Sequence, residues 1–341
     1  MTKEVKLGNT TTGLQQVYGV DDGYAWVKAF GGAGVGQTVP ARVEQGIGVS
    51  SLDGGTGGNV YETEGKAYSV GDGVNGEDTT FDGYHTSPLN RVAVHHALYA
   101  MGLGGQKISA VLGLPLRDYF VNNEKNERLI AEKIASFKIP VTKVGADPII
   151  IGDVQIVPQG IAAVVDWGVD DKGNGRPEMK GDIAVVDIGG RTTDIAVVVG
   201  GGQIDHRRSG TKKDLGVLKV VDLLGESLRR KFGIEEDLGR AKVEAALRRR
   251  EIEVWGTAYE IGELVDQAVG EVGAQIGRVV KERLGSGALL GRILFVGGGA
   301  VVFNRAATEY RNGEIPGEPA FANARGMYRF GRLAAAKKGR A

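Results

Sequence analysis

The sequence predicts an α/β protein built from two related lobes that face a common cleft. Three observations carry this reading. The chain has 341 residues, beyond the roughly 250–300 at which a single hydrophobic core stops growing. A strand, an Asp-containing glycine turn and a second strand open each half, as VDDGYAWVKAF at 20–30 and VDIGGRTTDIAVV at 186–198. Their leading residues, Asp21 and Asp187, lie 166 positions apart (187 minus 21), near half the chain. A third strand, ILFV, runs into Gly297, Gly298 and Gly299.

Composition limits the function classes. Hydrophobic residues make up 42% and charged residues 25%, enough for a sizeable core and an ordinary charged surface. Glycine supplies 56 residues without a collagen period, which points to tight turns and close backbone approaches. Lys plus Arg and Asp plus Glu are each 42, so the net charge is zero. A direct grip on a DNA backbone ordinarily shows a basic excess. Cysteine is absent, which excludes disulfides, thiol catalysis and Cys-ligated metals. The start, MTKEVKLGNTTTG, is polar, and no apolar run approaches about 18 residues, so no signal segment or membrane span is expected and the cytoplasm is the expected compartment.

The elements follow in order. Residues 1–14 form a polar lead-in, and strands are expected at GLQQVYGV and YAWVKAF around the Asp21-Asp22-Gly23 turn. Residues 31–90 suggest a small β-rich unit, with strands at NVYETEG and KAYSVGD. RVAVHHALYAMGL has helical spacing, KISAVLGLPL is a buried strand, and NNEKNERLIAEKIASF is an amphipathic helix. Strands at KIPVTKVG and DVQIVP and a helix at GIAAVVDWG precede a polar connector at 170–182, the expected domain boundary. Helices at LGVLKVVDLLGESLRRKF and ELVDQAVGEVGAQIGRVVKERL follow the second hairpin. After the strand RILFVGG, a helix is expected from near Ala300, and AAAKKGRA ends the chain as a solvated basic tail.

The three turns suit a nucleotide. Phosphates need backbone N–H donors that approach closely, which bare glycine turns allow. A carboxylate beside phosphates makes sense only with a cation between them, and Mg²⁺ takes one or two carboxylates while keeping waters. In the first turn, Asp21 would orient Mg²⁺ or its water, Asp22 and Gly23 would border the phosphates, and Lys28 would reach back to them. Alone, this turn is equally an ordinary Asp-Gly hairpin. In the second, Asp187 mirrors Asp21. Gly189, Gly190, Arg191, Thr192 and Thr193 would cradle the β- and γ-phosphates, and Asp194 is placed to act on metal-bound water. Gly297, Gly298 and Gly299 would take the adenosine side or the α-phosphate at a helix N-terminus.

Other candidates point to structure. His95 and His96 are adjacent and His85 and His206 isolated, with no metal-ligand spacing. Trp26, Trp167 and Trp255 are expected to pack rather than stack on bases. The charged run near 234–253 is expected to be a solvated helical surface.

The ordered pieces VDDGYAWVK, IVPQG, VVDIGGRTTD and FVGGGA resemble the actin, hexokinase and heat-shock chaperone ATPase superfamily. With RVAVHHAL, LGLPLRDYF and NARGMYRFG they resemble, more narrowly, the bacterial ParM/StbA plasmid-segregation actins, over about residues 15–331. The resemblance implies an actin-like ATPase fold of duplicated ribonuclease H-like domains. It implies a first lobe over 1–180, with an insert at about 37–90, to which 323–341 returns. A second lobe over 181–322 carries a helical insert at about 215–285. It places Gln159 near the attacking water, where many relatives carry Glu; a neutral amide orients water but is no general base. Gln159 could equally be a helix-start residue.

The expected function is then an ATPase that assembles into filaments with ATP and Mg²⁺ and disassembles after hydrolysis, with GTP left open as the nucleotide. The resemblance implies a ParR-type DNA-binding adaptor, so that DNA contact is indirect. A small-molecule kinase is one alternative, although no acceptor-facing carboxylate is assignable. A chaperone-like ATPase is another, but only a short tail follows Phe330, where a peptide-binding domain would be expected.

Overall fold

The computed structural model describes residues 16–47, 59–71, 74, 76–170, 173–176 and 181–338. The lead-in, residues 171–172 and 177–180 of the connector, and parts of the 31–90 unit lie outside them.

Two sheets share one plan. In the first, the hairpin Gln16–Asp22 and Trp26–Phe30 is antiparallel, with Asp21 opposite Lys28. Gly36–Pro40 extends it on one side. On the other, Lys107–Leu114 and then Ile150–Pro158 add in parallel. In the second sheet, Ile183–Ile188 and Thr193–Val199 form the hairpin, with Asp187 opposite Asp194. Arg292–Val296 and Gly313–Glu314 add in parallel on one side, and Gln203–Ile204 and Gly210–Lys212 pair antiparallel with Thr193–Val199. The central strands are largely apolar because both faces are covered, with buried charged residues at their cleft ends. The 31–90 unit does contain a sheet, in the order Thr142–Lys143, Asn59–Thr63, Lys66–Val70, Val43–Gln45.

Helices cover these sheets. Ser87 caps Pro88–Ala100 by accepting from the Asn90 amide at 3.3 Å, and the proline at its first position has no amide to leave unsatisfied. The second amphipathic helix starts later than expected, at Glu127, where Asn126 caps it. Residues 120–121 and 124–125 pair instead as a short hairpin, with Asn122 and Asn123 at positive φ. Each sheet has its own core, and a third cluster joins them. Ala163, Val164 and Trp167, on the helix Ile161–Gly168, pack with Val185, Ala196 and Leu294 of the second sheet.

The closing helix, Ala322–Lys338, lies on the strand Gln16–Asp22 and crosses the helix Ile161–Gly168. Glycine makes that crossing possible. A Cβ at Gly326 would overlap the Ala162 carbonyl, and one at Gly19 would overlap the Ala324 carbonyl. The tail differs from its expectation in part, since residues through Lys338 are helical, while Ala336 and Lys337 are exposed.

Three further expectations are corrected. Gly299–Val302 is a four-residue turn of helix, interrupted at Phe303 (φ −107°, ψ 35°) before Asn304–Thr308. Trp255 does not pack, because it sits in a two-residue hairpin turn and is 79% exposed. Within the charged run, Glu244 is buried rather than solvated.

Gly326→Ala should lower the unfolding midpoint, with a cost of about 1–3 kcal/mol from overpacking against an immovable backbone. Gly270→Ala, in an exposed helical position with nothing near its Cβ, should instead stabilise by about 0.5–1 kcal/mol. Thermal unfolding of both variants checks the pair, and equal shifts would contradict the crossing as described.

Candidate functional site

The two hairpin turns and the Gly297–Gly299 turn converge on a cleft of about 630 Å³. Asp21, Gly23, Lys28, Gln159, Asp187, Gly189, Gly190, Thr192, Gly297, Gly298 and Gly299 all line it. Asp21, at the end of the first hairpin strand, accepts from Lys28 Nζ at 3.1 Å and from Gln159 Nε2 at 3.0 Å. Gln159 therefore stands between the strand Ile150–Pro158 and the helix that follows, with its amide fixed on the first aspartate.

Asp187 occupies the matching strand end in the second sheet. Its Oδ2 accepts from Asn323 Nδ2 at 2.6 Å, and Asn323 Oδ1 accepts from the Gly160 amide at 2.9 Å. Burial, with Asp21 and then Asp194 nearby, pushes the Asp187 carboxyl up to about 7. Two carboxylates from different lobes thus face one space, and their repulsion reaches the one that lacks a cationic hydrogen-bond partner. Gly297 adopts φ +84° beside them, and any Cβ there would collide with Asp187 Oδ1. Gly190 is equally constrained, since a Cβ would come within 2.6 Å of Ala25 Cβ, where the two turns touch. Bare backbone and paired carboxylates form a cradle that fits phosphates carrying a divalent cation.

Strand alternation removes other expected residues from the cradle. Asp22 points away from Asp21 and is fully buried, accepting from Lys133 Nζ at 2.6 Å and lying 3.3 Å from His85 Nδ1. Burial opposes its ionisation, but Lys133 and His85 hold its carboxyl below the ordinary range. Asp22 is thus a structural ion-pair residue rather than a phosphate neighbour. Thr193 is buried and donates to the Leu215 carbonyl at 2.8 Å. Arg191 pairs with Asp214 at 3.0 Å and lies over the Tyr24 ring, 5.3 Å from its centroid. Both brace the second turn from behind. Asp194 is not on the cleft wall. It accepts from Thr192 Oγ1 at 2.7 Å and from Thr211, and burial raises it to about 6. The third turn keeps its bare glycines, but the short helix after it has too few aligned peptides for the expected helix-terminus field.

Sequence reasoning missed part of this site. Asn323 had no assigned role, although NARGMYRFG was among the family-like pieces, and no local pattern marks its partnership with Asp187. The run near 234–253 builds one wall of the cleft through Glu244, Leu247, Arg248 and Arg250. Glu244 accepts from Arg42 at 2.7 Å and from Arg240 at 3.0 Å, and Arg240 reaches the Tyr24 carbonyl at 3.5 Å. That cluster joins the lobes above the cleft. His95 is structural, with its ring N–H on the Arg91 carbonyl and its pKa lowered to about 4 by burial. Among the described residues, no cluster of three or more His, Cys, Asp or Glu forms a metal site, and no helix is long and apolar enough to cross a membrane.

Comparison with known proteins agrees with this architecture. Residues 45–169 match the family model of the N-terminal part of plasmid segregation protein ParM, and 185–309 match that of the C-terminal part of an archaeal MreB-like actin homologue. The chain is similar to a 15-stranded ParM filament subunit from Clostridium botulinum, at 19% identity and TM-score 0.74, covering 94% of this chain and 99% of that one. It is similar to the archaeal actin homologue Ta0583 in complex with ADP, at 20% identity and TM-score 0.71, covering 94% and 99%. Its similarity to the actin-like protein Alp7A has 14% identity and TM-score 0.72, covering 95% and 97%. No curated protein matches. The chain has the two-lobed, actin-like α/β fold. The ParM match over 45–169 agrees with the resemblance the motifs carry, and the match over 185–309 is to an archaeal actin homologue.

The raised Asp187 carboxyl makes a signed prediction. Between about pH 4 and 7 the folded state holds a proton that the unfolded state releases, so this group's contribution to stability falls as pH rises through that window. Asp187→Asn should therefore gain stability relative to the ligand-free parent between pH 4 and 8, by on the order of 1–3 kcal/mol. Denaturant unfolding at several pH values measures this, and a difference that stays flat with pH would remove the assigned coupling.

Proposed function

We propose that this chain is an ATP hydrolase that assembles into filaments with Mg²⁺-ATP and releases subunits after hydrolysis. The observation that supports it best is the meeting of three glycine turns from both lobes around Asp21 and Asp187, with Gln159 fixed on Asp21. The lobes divide near 170–182 in this reading. Mg²⁺, when bound with the nucleotide, supplies positive charge that offsets both the phosphates and the paired carboxylates.

The chain's own groups do the rest. Asp21 and Asp187 would hold the ion through water, and Lys28 adds a fixed positive charge on the first-lobe side. Gly23, Gly189, Gly190 and the Gly297–Gly299 turn offer backbone donors. Thr192 could lend its hydroxyl only by leaving Asp194, which keeps the two residues as one unit. Gln159 gives its N–H to Asp21 and keeps its amide oxygen for a water, so it positions a nucleophile without removing a proton. GTP would fit the same phosphate contacts.

A ligand that touches both lobes favours the closed arrangement, and only such differential affinity shifts a conformational population. A head-to-tail contact that does not close into a ring then yields a filament. The ParM match over 45–169 and the similarity to a ParM filament subunit support this reading. A ParR-type DNA-bound adaptor would capture the filament and move plasmid DNA in the cytoplasm, leaving the neutral chain without direct DNA contact.

The test is sedimentation across protein concentration. Polymer should pellet with Mg²⁺ and a slowly hydrolysed ATP analogue, with a critical concentration that rises when ADP replaces the analogue. Protein that binds nucleotide by calorimetry yet stays in the supernatant at high concentration would remove the filament reading and favour a kinase.

Gln159→Ala should slow turnover by about 10- to 100-fold while changing nucleotide affinity little. Filaments of that variant should outlive those of the parent. Collapsed affinity with unchanged residual turnover would make Gln159 a binding residue instead.

A further inference from the structure

One face of one short helix bridges the mouth of the cleft. Arg240–Arg249 belongs to the second lobe. Arg240, Glu244 and Arg248 are spaced four apart, so they stand in a row along it. Each meets a different group of the first lobe. Arg240 donates to the Tyr24 carbonyl at 3.5 Å. Glu244 accepts from Arg42 Nη2 at 2.7 Å. The Arg248 guanidinium lies 5.9 Å from the centroid of the Trp26 ring. Tyr24, Trp26, Glu244 and Arg248 also line the cleft.

The row is polar and its centre is buried. The Arg42 and Glu244 side chains are each 7% exposed. Arg240 Nε also donates to Glu244 at 3.0 Å, so one carboxylate lies between two guanidinium groups. Parting Arg42 from Glu244 leaves both charges to be hydrated before the lobes separate, which slows opening even where its net cost is small. Salt screens a buried pair of this kind little. A second ion pair crosses between the lobes, from Lys213 to Asp82 at 2.6 Å, but the Asp82 side chain is 79% exposed. An exposed pair contributes little.

Arg42 is seated beside the phosphate turns. The Ala41 amide donates to the Ala25 carbonyl at 2.9 Å, and Ala25 is the residue that Gly190 of the second turn touches. Thr79 Oγ1 donates at 2.6 Å to the same Tyr24 carbonyl that Arg240 reaches. Gly76, with φ +77°, packs so closely on Arg42 that a Cβ would come within 2.9 Å of the Arg42 Cα. The central contact of the row is thus held by well-packed backbone next to the first turn.

We propose that Arg240, Glu244 and Arg248, with Arg42 as the central partner, form a latch that sets how fast nucleotide enters and leaves the cleft. Nucleotide beneath the row exchanges only when Arg42 and Glu244 part. This inference rests on the nucleotide-binding reading above and adds its regulation. Residence time is set at the mouth, whereas the chemistry belongs to the turns below. A barrier common to entry and release scales both rates and leaves their ratio nearly constant. A residue that contacts the nucleotide would instead change release chiefly.

The test uses the full chain with Mg²⁺ and a fluorescent ADP analogue, chased with unlabelled ADP. Arg42→Gln leaves Glu244 its partner Arg240, so the carboxylate is not stranded. Release and association should both accelerate at least about tenfold, with the dissociation constant changed less than about threefold and single-turnover ATP hydrolysis unchanged. Lys213→Ala, at the exposed pair, should change release less than about threefold. The chain has no cysteine, so Arg42→Cys combined with Glu244→Cys places a unique thiol pair across the mouth. That protein should release the analogue faster than the parent, and more slowly than the parent once a short bismaleimide joins the thiols. Release from Arg42→Gln at the parent rate, equal acceleration by Lys213→Ala, or a cross-link without effect on release overturns the latch and leaves the proposed function intact. Faster release without faster association makes Arg42 a binding residue and also overturns it. A parent that binds no nucleotide overturns both readings.

Discussion

The structure depends on two carboxylates from different lobes sharing one buried space. Asp21 is neutralised locally by Lys28 and held by Gln159. Asp187 has only the neutral amide of Asn323, and its proton affinity rises accordingly. Such an arrangement is unfavourable without a cation and becomes favourable with one. In the proposed function this arrangement would make the lobes' closeness depend on what lies between them, as a nucleotide-driven switch requires.

The surrounding contacts set how far that closeness can vary. Beneath the cleft, Trp167, Ala163 and Val164 share a core with the second sheet, which holds the lobes together at their base. Asn323 bridges Asp187 to Gly160 at the same level, beside Gln159. Above the cleft the lobes meet through polar groups instead, chiefly Arg42, Glu244 and Arg240. An ion pair can part and be hydrated at a modest net change in free energy, whereas an apolar core cannot. The lobes are therefore joined by an apolar core at the base of the cleft and by ion pairs at its top.

Glycine ties this mechanics to the composition. At Gly326 it allows two helices to cross with backbone in contact, and at Gly297 it leaves room for the Asp187 carboxylate. One position serves packing and the other serves the cleft, and nothing in the residue type distinguishes them. The 56 glycines pointed correctly to close backbone approaches, but not to where these would be.

Local pattern was enough for the two hairpins, the main helices, the three glycine turns and the duplicated plan, because each depends on periodicity or on a turn within a few residues. It also placed Asp21, Lys28, Gln159, Asp187 and the glycines at strand ends or turns, where they do line one cleft. Periodicity alone could not say which face of a strand would be the cleft. Asp22 and Thr193 therefore fell on the wrong side, and Arg191 was drawn to Tyr24 and Asp214. Asn323 lies 136 positions from Asp187, and Glu244 lies 202 from Arg42. Those pairings come from how the lobes pack. Packing between distant segments is decided by burial and shape across the whole chain, which no short stretch of sequence encodes.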